Sequence, residues 1–102
     1  MYKTLLLLLA FSGQACQGPV ETVQVINWNT YHFFDHRAKV DQATDWLAEQ
    51  RPDLLALQEV LHCKEVELGE LAQKWGHEHA VMNKENGYPV ALTSSAPIEV
   101  LE

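Results

Sequence analysis

The sequence predicts an α/β domain in which helices cover a mixed β-sheet. Three observations carry that expectation. Strand-like and helix-like patterns alternate from Val23 onward, the order of a layered α/β unit. The run Leu54 to Leu57 is continuously apolar, as a strand buried on both faces is. Two further strand patterns follow one another across a turn-forming stretch, as in a hairpin, so the sheet mixes parallel and antiparallel pairs.

The elements can be justified in order. A first strand begins at Val23 and runs to about Thr30. Within it Ile26 and Trp28 alternate with Asn27 and Asn29, giving one apolar face and one amide face. His32 to His36 reads as a loop, with Asp35 placed to cap the next helix. From Arg37 to Gln50, Val40, Ala43, Thr44 and Leu47 share one helical face, while Asp41, Asp45 and Glu49 form the solvated one. Arg51-Pro52-Asp53 ends that helix, because a residue before proline avoids helical dihedrals. The strand that follows ends at Gln58-Glu59. A second helix is expected from about Lys64 to Trp75, on the spacing of Leu68, Leu71, Ala72 and Trp75. Gly69 weakens it and Gly76 is placed to stop it. His79 to Met82 and Val90 to Thr93 are strands separated by the turn composition of 83–87. Ala96-Pro97 begins a turn before Ile98 to Leu101. Trp46 and Trp75 are expected in the helix-to-sheet core.

At 102 residues there is room for one small domain, and 47% hydrophobic with 21% charged residues is globular rather than disordered composition. The net charge of −7 leaves no broad basic surface for a nucleic-acid backbone. It suits a small phosphorylated substrate, or a site whose positive charge comes from a bound cation. Nucleic acid is not favoured by the charge, yet it is not excluded, since distribution matters more than the sum.

Residues 1–15 have the order of a secretory signal peptide: Lys3 at the start, the apolar run Leu5 to Phe11, then small residues at Gly13 and Ala15. The plainer reading is a first buried strand or helix. With the leader, the chain is exported. Cleavage after Ala15 leaves Cys16 first, which points to a lipid-anchored protein on a membrane surface. Gly13 stands where lipoprotein signals usually carry leucine, so secretion or a periplasmic location without lipid stays open. Residues 16–22 form a short tether containing Gly18-Pro19, and 23–102 the domain. A lipidated Cys16 leaves Cys63 as a small hydrophobe; a free Cys16 admits a Cys16–Cys63 disulfide.

Glu59 and Asn29 are the candidate site residues. A carboxylate at the carboxyl end of a buried strand is costly to desolvate unless something compensates it. A magnesium ion, with its preference for one or two carboxylates and retained waters, is one such partner. Ligands of open α/β sheets gather at the carboxyl ends of strands, and Asn29 ends its own strand in the same way. Were the two strands neighbours, an amide and a carboxylate would converge on one sheet edge. The plain alternatives are that Glu59 is the first solvated residue after a strand, and that Asn29 starts a turn by bonding its own backbone.

The segments VINWNTY (Val25 to Tyr31), RPDLLALQEV (Arg51 to Val60) and GYPVALTSSAPI (Gly87 to Ile98) resemble, in that order, three motifs of the endonuclease/exonuclease/phosphatase family, whose members include deoxyribonuclease I. The resemblance implies the amino-terminal half of a four-layer α/β/β/α sandwich. It also implies hydrolysis of a phosphodiester or phosphomonoester by in-line attack of water. By the same resemblance, Glu59 ligates the catalytic Mg2+, with Mn2+ as a substitute, and Asn29 belongs to the active site and helps place the phosphate. Pro89 falls where many members carry glycine, which makes that strand an expected edge or bulge. The family's later motifs, with their catalytic histidines and aspartates, have no counterpart before Glu102. The expectation is therefore a fragment of a longer enzyme, inactive as 102 residues alone. The rival expectation is a non-catalytic exported or lipid-anchored interaction domain that keeps half of the fold. His32 and His36 are four apart but fall in a loop rather than on one helix, and His62-Cys63 and His77/His79 do not form a recognised zinc spacing, so a zinc site is not expected.

Overall fold

The computed structural model describes residues 22–101. The expected leader, Cys16 with its expected lipidation or pairing with Cys63, and nearly all of the expected tether lie outside the described residues. The elements are β1 (Val25–Asn29), a 3-10 turn (Phe33–Asp35), α1 (Arg37–Gln50), β2 (Leu54–Gln58), α2 (Glu65–Lys74), β3 (His79–Met82) and β4 (Ala91–Ser94).

The four strands form one mixed sheet in the order β1-β2-β4-β3. β1 and β2 run parallel, with Asn29 opposite Gln58, while β4 is antiparallel to both β2 and β3. The parallel pair is tied at its start by Asp53, whose carboxylate accepts the Gln24 N–H at 2.8 Å. The expectation that Pro89 marks an edge strand fails. β4 lies between two others, and Pro89 sits before its first residue, so no ladder donor is lost. The Pro89 carbonyl instead accepts the Val60 N–H at 2.9 Å.

Strand parity sets the layers. Leu55 and Leu57 of β2 pair with Ile26 and Trp28 of β1 and with Thr93 and Ala91 of β4. The apolar members of that face pack with Leu47 of α1 and with Leu68 and Ala72 of α2. Leu47, Leu55, Leu57 and Leu68 are almost fully buried, each contributing about 1.5–3 kcal/mol of apolar burial. The opposite face carries Val25, Asn27, Asn29, Ala56 and Gln58, and Val25 is 51% exposed there.

α1 ends as Arg51 takes a left-handed conformation and its N–H bonds the Leu47 carbonyl, just before Pro52. Gly76, with φ +89°, follows α2 where a side chain would be strained. Trp75 is core, as expected. Trp46 is not: it is half exposed, because it sits one residue round from the buried Leu47 stripe. His77, only 1% exposed, is core instead. Its Nε2 lies 2.6 Å from the Pro52 carbonyl, which can only accept, so Nε2 carries the proton. Nδ1 then accepts from the Thr93 hydroxyl at 2.7 Å, and that hydroxyl oxygen accepts the Trp75 indole N–H at 3.1 Å.

Candidate functional site

The carboxyl ends of β1 and β2 are neighbours, so the chain turns away from the sheet twice at one edge. The parallel register places Asn29 beside Gln58, and Glu59 is the next residue. Asn27, Asn29 and Gln58 share the face away from the helices. Gln58 Nε2 donates to Asn27 Oδ1 at 2.5 Å, which fixes both amides and leaves the Asn27 amide N–H groups and Gln58 Oε1 for other partners. Asn29 is exposed and Glu59 half-buried.

Glu59 does not continue the strand. Its φ is +51°, a left-handed conformation that is uncommon for glutamate. The backbone is held there from several sides. The Thr30 hydroxyl is shared between the carbonyls of Gln58 at 3.0 Å and Glu59 at 3.1 Å, and the Thr30 N–H bonds the Gln58 carbonyl at 2.9 Å. The Leu61 N–H closes onto the Glu59 carbonyl at 2.9 Å. Tyr31 (φ +40°) and His62 (φ +58°) are left-handed too, so among the described residues three of the four non-glycine residues of positive φ lie on these two loops. Backbone strain of about 1–3 kcal/mol per residue persists only where surroundings over-determine it, and it clusters at functional sites.

Sequence reasoning missed Thr30. Its signal is weak, a small hydroxyl directly after the amide strand, and its role depends on a strand that is distant in sequence. Thr30→Val should keep the shape but remove the hydroxyl bond. We expect a stability loss of about 1–2 kcal/mol by urea denaturation. A T30V protein with unchanged stability would remove Thr30 from the positioning of Glu59.

The loop after β1 corrects a second expectation. Asp35 does not cap α1; His36 stands at that cap and makes no side-chain capping bond. The Asp35 carboxylate is instead approached from two sides, by His32 Nδ1 at 3.0 Å and by His62 Nδ1 at 2.5 Å. The hydrogen bond from His62 holds the Asp35 carboxyl below its ordinary value of 3.8, with His32 adding to it. Cys63, next to His62, is buried. Burial pushes its thiol up to about 11, with the Glu67 and Glu85 charges adding, which suits a side chain packed in the core.

The register brings the carboxylate residue Glu59 and the amide residues Asn29 and Gln58 to the same end of the sheet. Carboxylate and amide oxygens are hard donors, the chemistry that magnesium or manganese accepts.

Solved structures share this fold. An AP endonuclease from Archaeoglobus fulgidus aligns with a TM-score of 0.55 and 22% identity over 72% of this chain and 28% of its own. A humanized D. rerio TDP2 bearing 14 mutations aligns with a TM-score of 0.51 and 17% identity over 72% of this chain and 30% of its own. The fold class is thus the deoxyribonuclease I-like α/β sandwich, of which the described residues form one sheet and one helical layer. The chain spans less than a third of the length of these structures. No protein-family model matches the chain, and neither does any curated protein.

Proposed function

We propose that this chain forms the Glu59 side of a magnesium-dependent phosphoesterase site, in a protein exported by the leader at residues 1–15. The observation that carries the reading is the left-handed Glu59, pinned by Thr30 next to the amides of Asn29 and Gln58 at the carboxyl ends of two parallel strands. The shared fold with an AP endonuclease supports the same class of reaction. Glu59 and Asn29 would hold the ion, and manganese is the expected substitute. When bound, the ion supplies Lewis-acid polarisation of the phosphoryl oxygen. The Asn29 amide donates to a phosphate oxygen and so orients the ester for in-line attack by water. The Gln58–Asn27 bond keeps the neighbouring amides from rotating, and Thr30 keeps the Glu59 backbone from relaxing.

The test is hydrolysis of a generic phosphodiester by the full-length protein. We expect activity that is abolished by a strong chelator and restored by Mg2+ alone. Hydrolysis that survives chelation would overturn the reading.

A further inference from the structure

We propose that His32, Asp35 and His62 form a second cation site, specific for a zinc-class divalent ion and separate from the hard-oxygen site at Glu59. One ligand atom from each of the three side chains lies within 4.8 Å of the others. A zinc ion with bonds of about 2.0–2.2 Å in tetrahedral geometry needs its ligand atoms about 3.4 Å apart. The two contacts to Asp35 are shorter than that, at 3.0 Å from His32 and 2.5 Å from His62, as hydrogen bonds in an ion-free cluster are. Small side-chain rotations would open the cluster around an ion without moving the backbone. All three side chains reach solvent, at 48%, 34% and 65% exposure, so an ion can enter and a fourth position stays open to water.

Two imidazoles and one carboxylate are borderline donors. They suit zinc, cobalt and nickel, whereas magnesium prefers oxygen donors and retained waters. The backbone is arranged for this meeting. His62 is itself left-handed, and Tyr31, also left-handed, sets its ring 4.0 Å from that of His32. His32 comes from the loop after β1 and His62 from the loop after β2, so an ion here would cross-link the loop that follows Asn29 to the loop that carries Glu59. Net acidity of −7 favours the approach of a cation.

The experiment is titration of the untagged chain with Co2+ alone, followed by visible ligand-field absorption. We expect one equivalent bound, displaced by Zn2+ but not by excess Mg2+. Loss of one of three ligands in H32A or H62A should weaken binding by more than about tenfold, since even outer-shell partners cost that much. Both residues are exposed, and circular dichroism will verify that the variants keep their fold. E59A should bind Co2+ as the native chain does, which separates this site from the proposed catalytic one. Absence of the absorption, or native-like binding in both histidine variants, would overturn the proposal. Loss of binding in E59A would overturn it as well, by assigning the ion to the other site.

Discussion

Glu59→Gln should lower phosphodiester hydrolysis by the full-length protein about a thousandfold. Glutamine keeps the side-chain volume and its hydrogen-bonding reach, and only the negative charge is lost. The Lewis-acid contribution of a divalent ion is several kcal/mol of transition-state stabilisation, and about 4 kcal/mol corresponds to three decades of rate. The defect should show in kcat/KM at fixed Mg2+, with the Mg2+ concentration for half-maximal rate shifted upward. Stability should change little, because Glu59 is only half-buried and its described backbone bonds do not use the carboxylate. A loss of less than tenfold, with unaltered Mg2+ dependence, would remove Glu59 from the reaction and with it the function proposed here. Glu59→Asp is the informative companion. It retains the charge but shortens the side chain, so its activity should lie between those of the native protein and E59Q.

The second large effect concerns folding. His77→Phe should destabilise the chain by about 3 kcal/mol, because it leaves the Pro52 carbonyl and the Thr93 hydroxyl without their partner at a buried position, each loss costing about 1–3 kcal/mol. For a domain of this size that is a fall in Tm of about 12 °C or more. The same residue predicts a pH dependence. Burial holds the His77 pKa below its ordinary value of 6.5, against the raising effects of the Pro52 carbonyl and the Asp53 charge. The unfolded chain therefore takes up a proton near pH 6.5 that the folded chain still refuses. The stability from the neutral imidazole is complete above that pH. It is lost progressively as pH falls through 6.5 towards the folded value. Asp35 acts in a separate window, below 3.8. Urea denaturation across pH 5 to 8 should show falling stability on the acid side in the native chain, and H77F should lack the His77 share of that slope. An H77F chain as stable as the native one would refute the network.

How much of this was legible in the sequence differs by residue. α1 occupies the expected span Arg37–Gln50, and β3 the expected His79–Met82. In both cases the signal was local, apolar periodicity ended by Pro52 in one and by turn residues in the other. The strand ending at Gln58-Glu59 was legible for the same reason. Trp46 misled because aromatic residues are strong core formers on average, while its actual place was fixed by the angle between it and Leu47 on one helix. Asp35 misled because a capping acid and a histidine-binding acid look alike until the loop after β2 arrives beside it. His77 gave no local sign of burial. It is neutral and bonded on both ring nitrogens only because Pro52 and Thr93 come from other parts of the chain.

The sequence by itself determined the type and order of the elements, and that an amide ends the first strand and an acid follows the second, since hydrophobic period and turn chemistry act between near neighbours. Only the tertiary structure decided that β4 inserts between β2 and β3, that Thr30 clamps the turn at Glu59, and that His62 meets Asp35 across 27 positions of chain. Those contacts arise when strands choose partners, a choice set by burying one common face rather than by any pattern within a single segment.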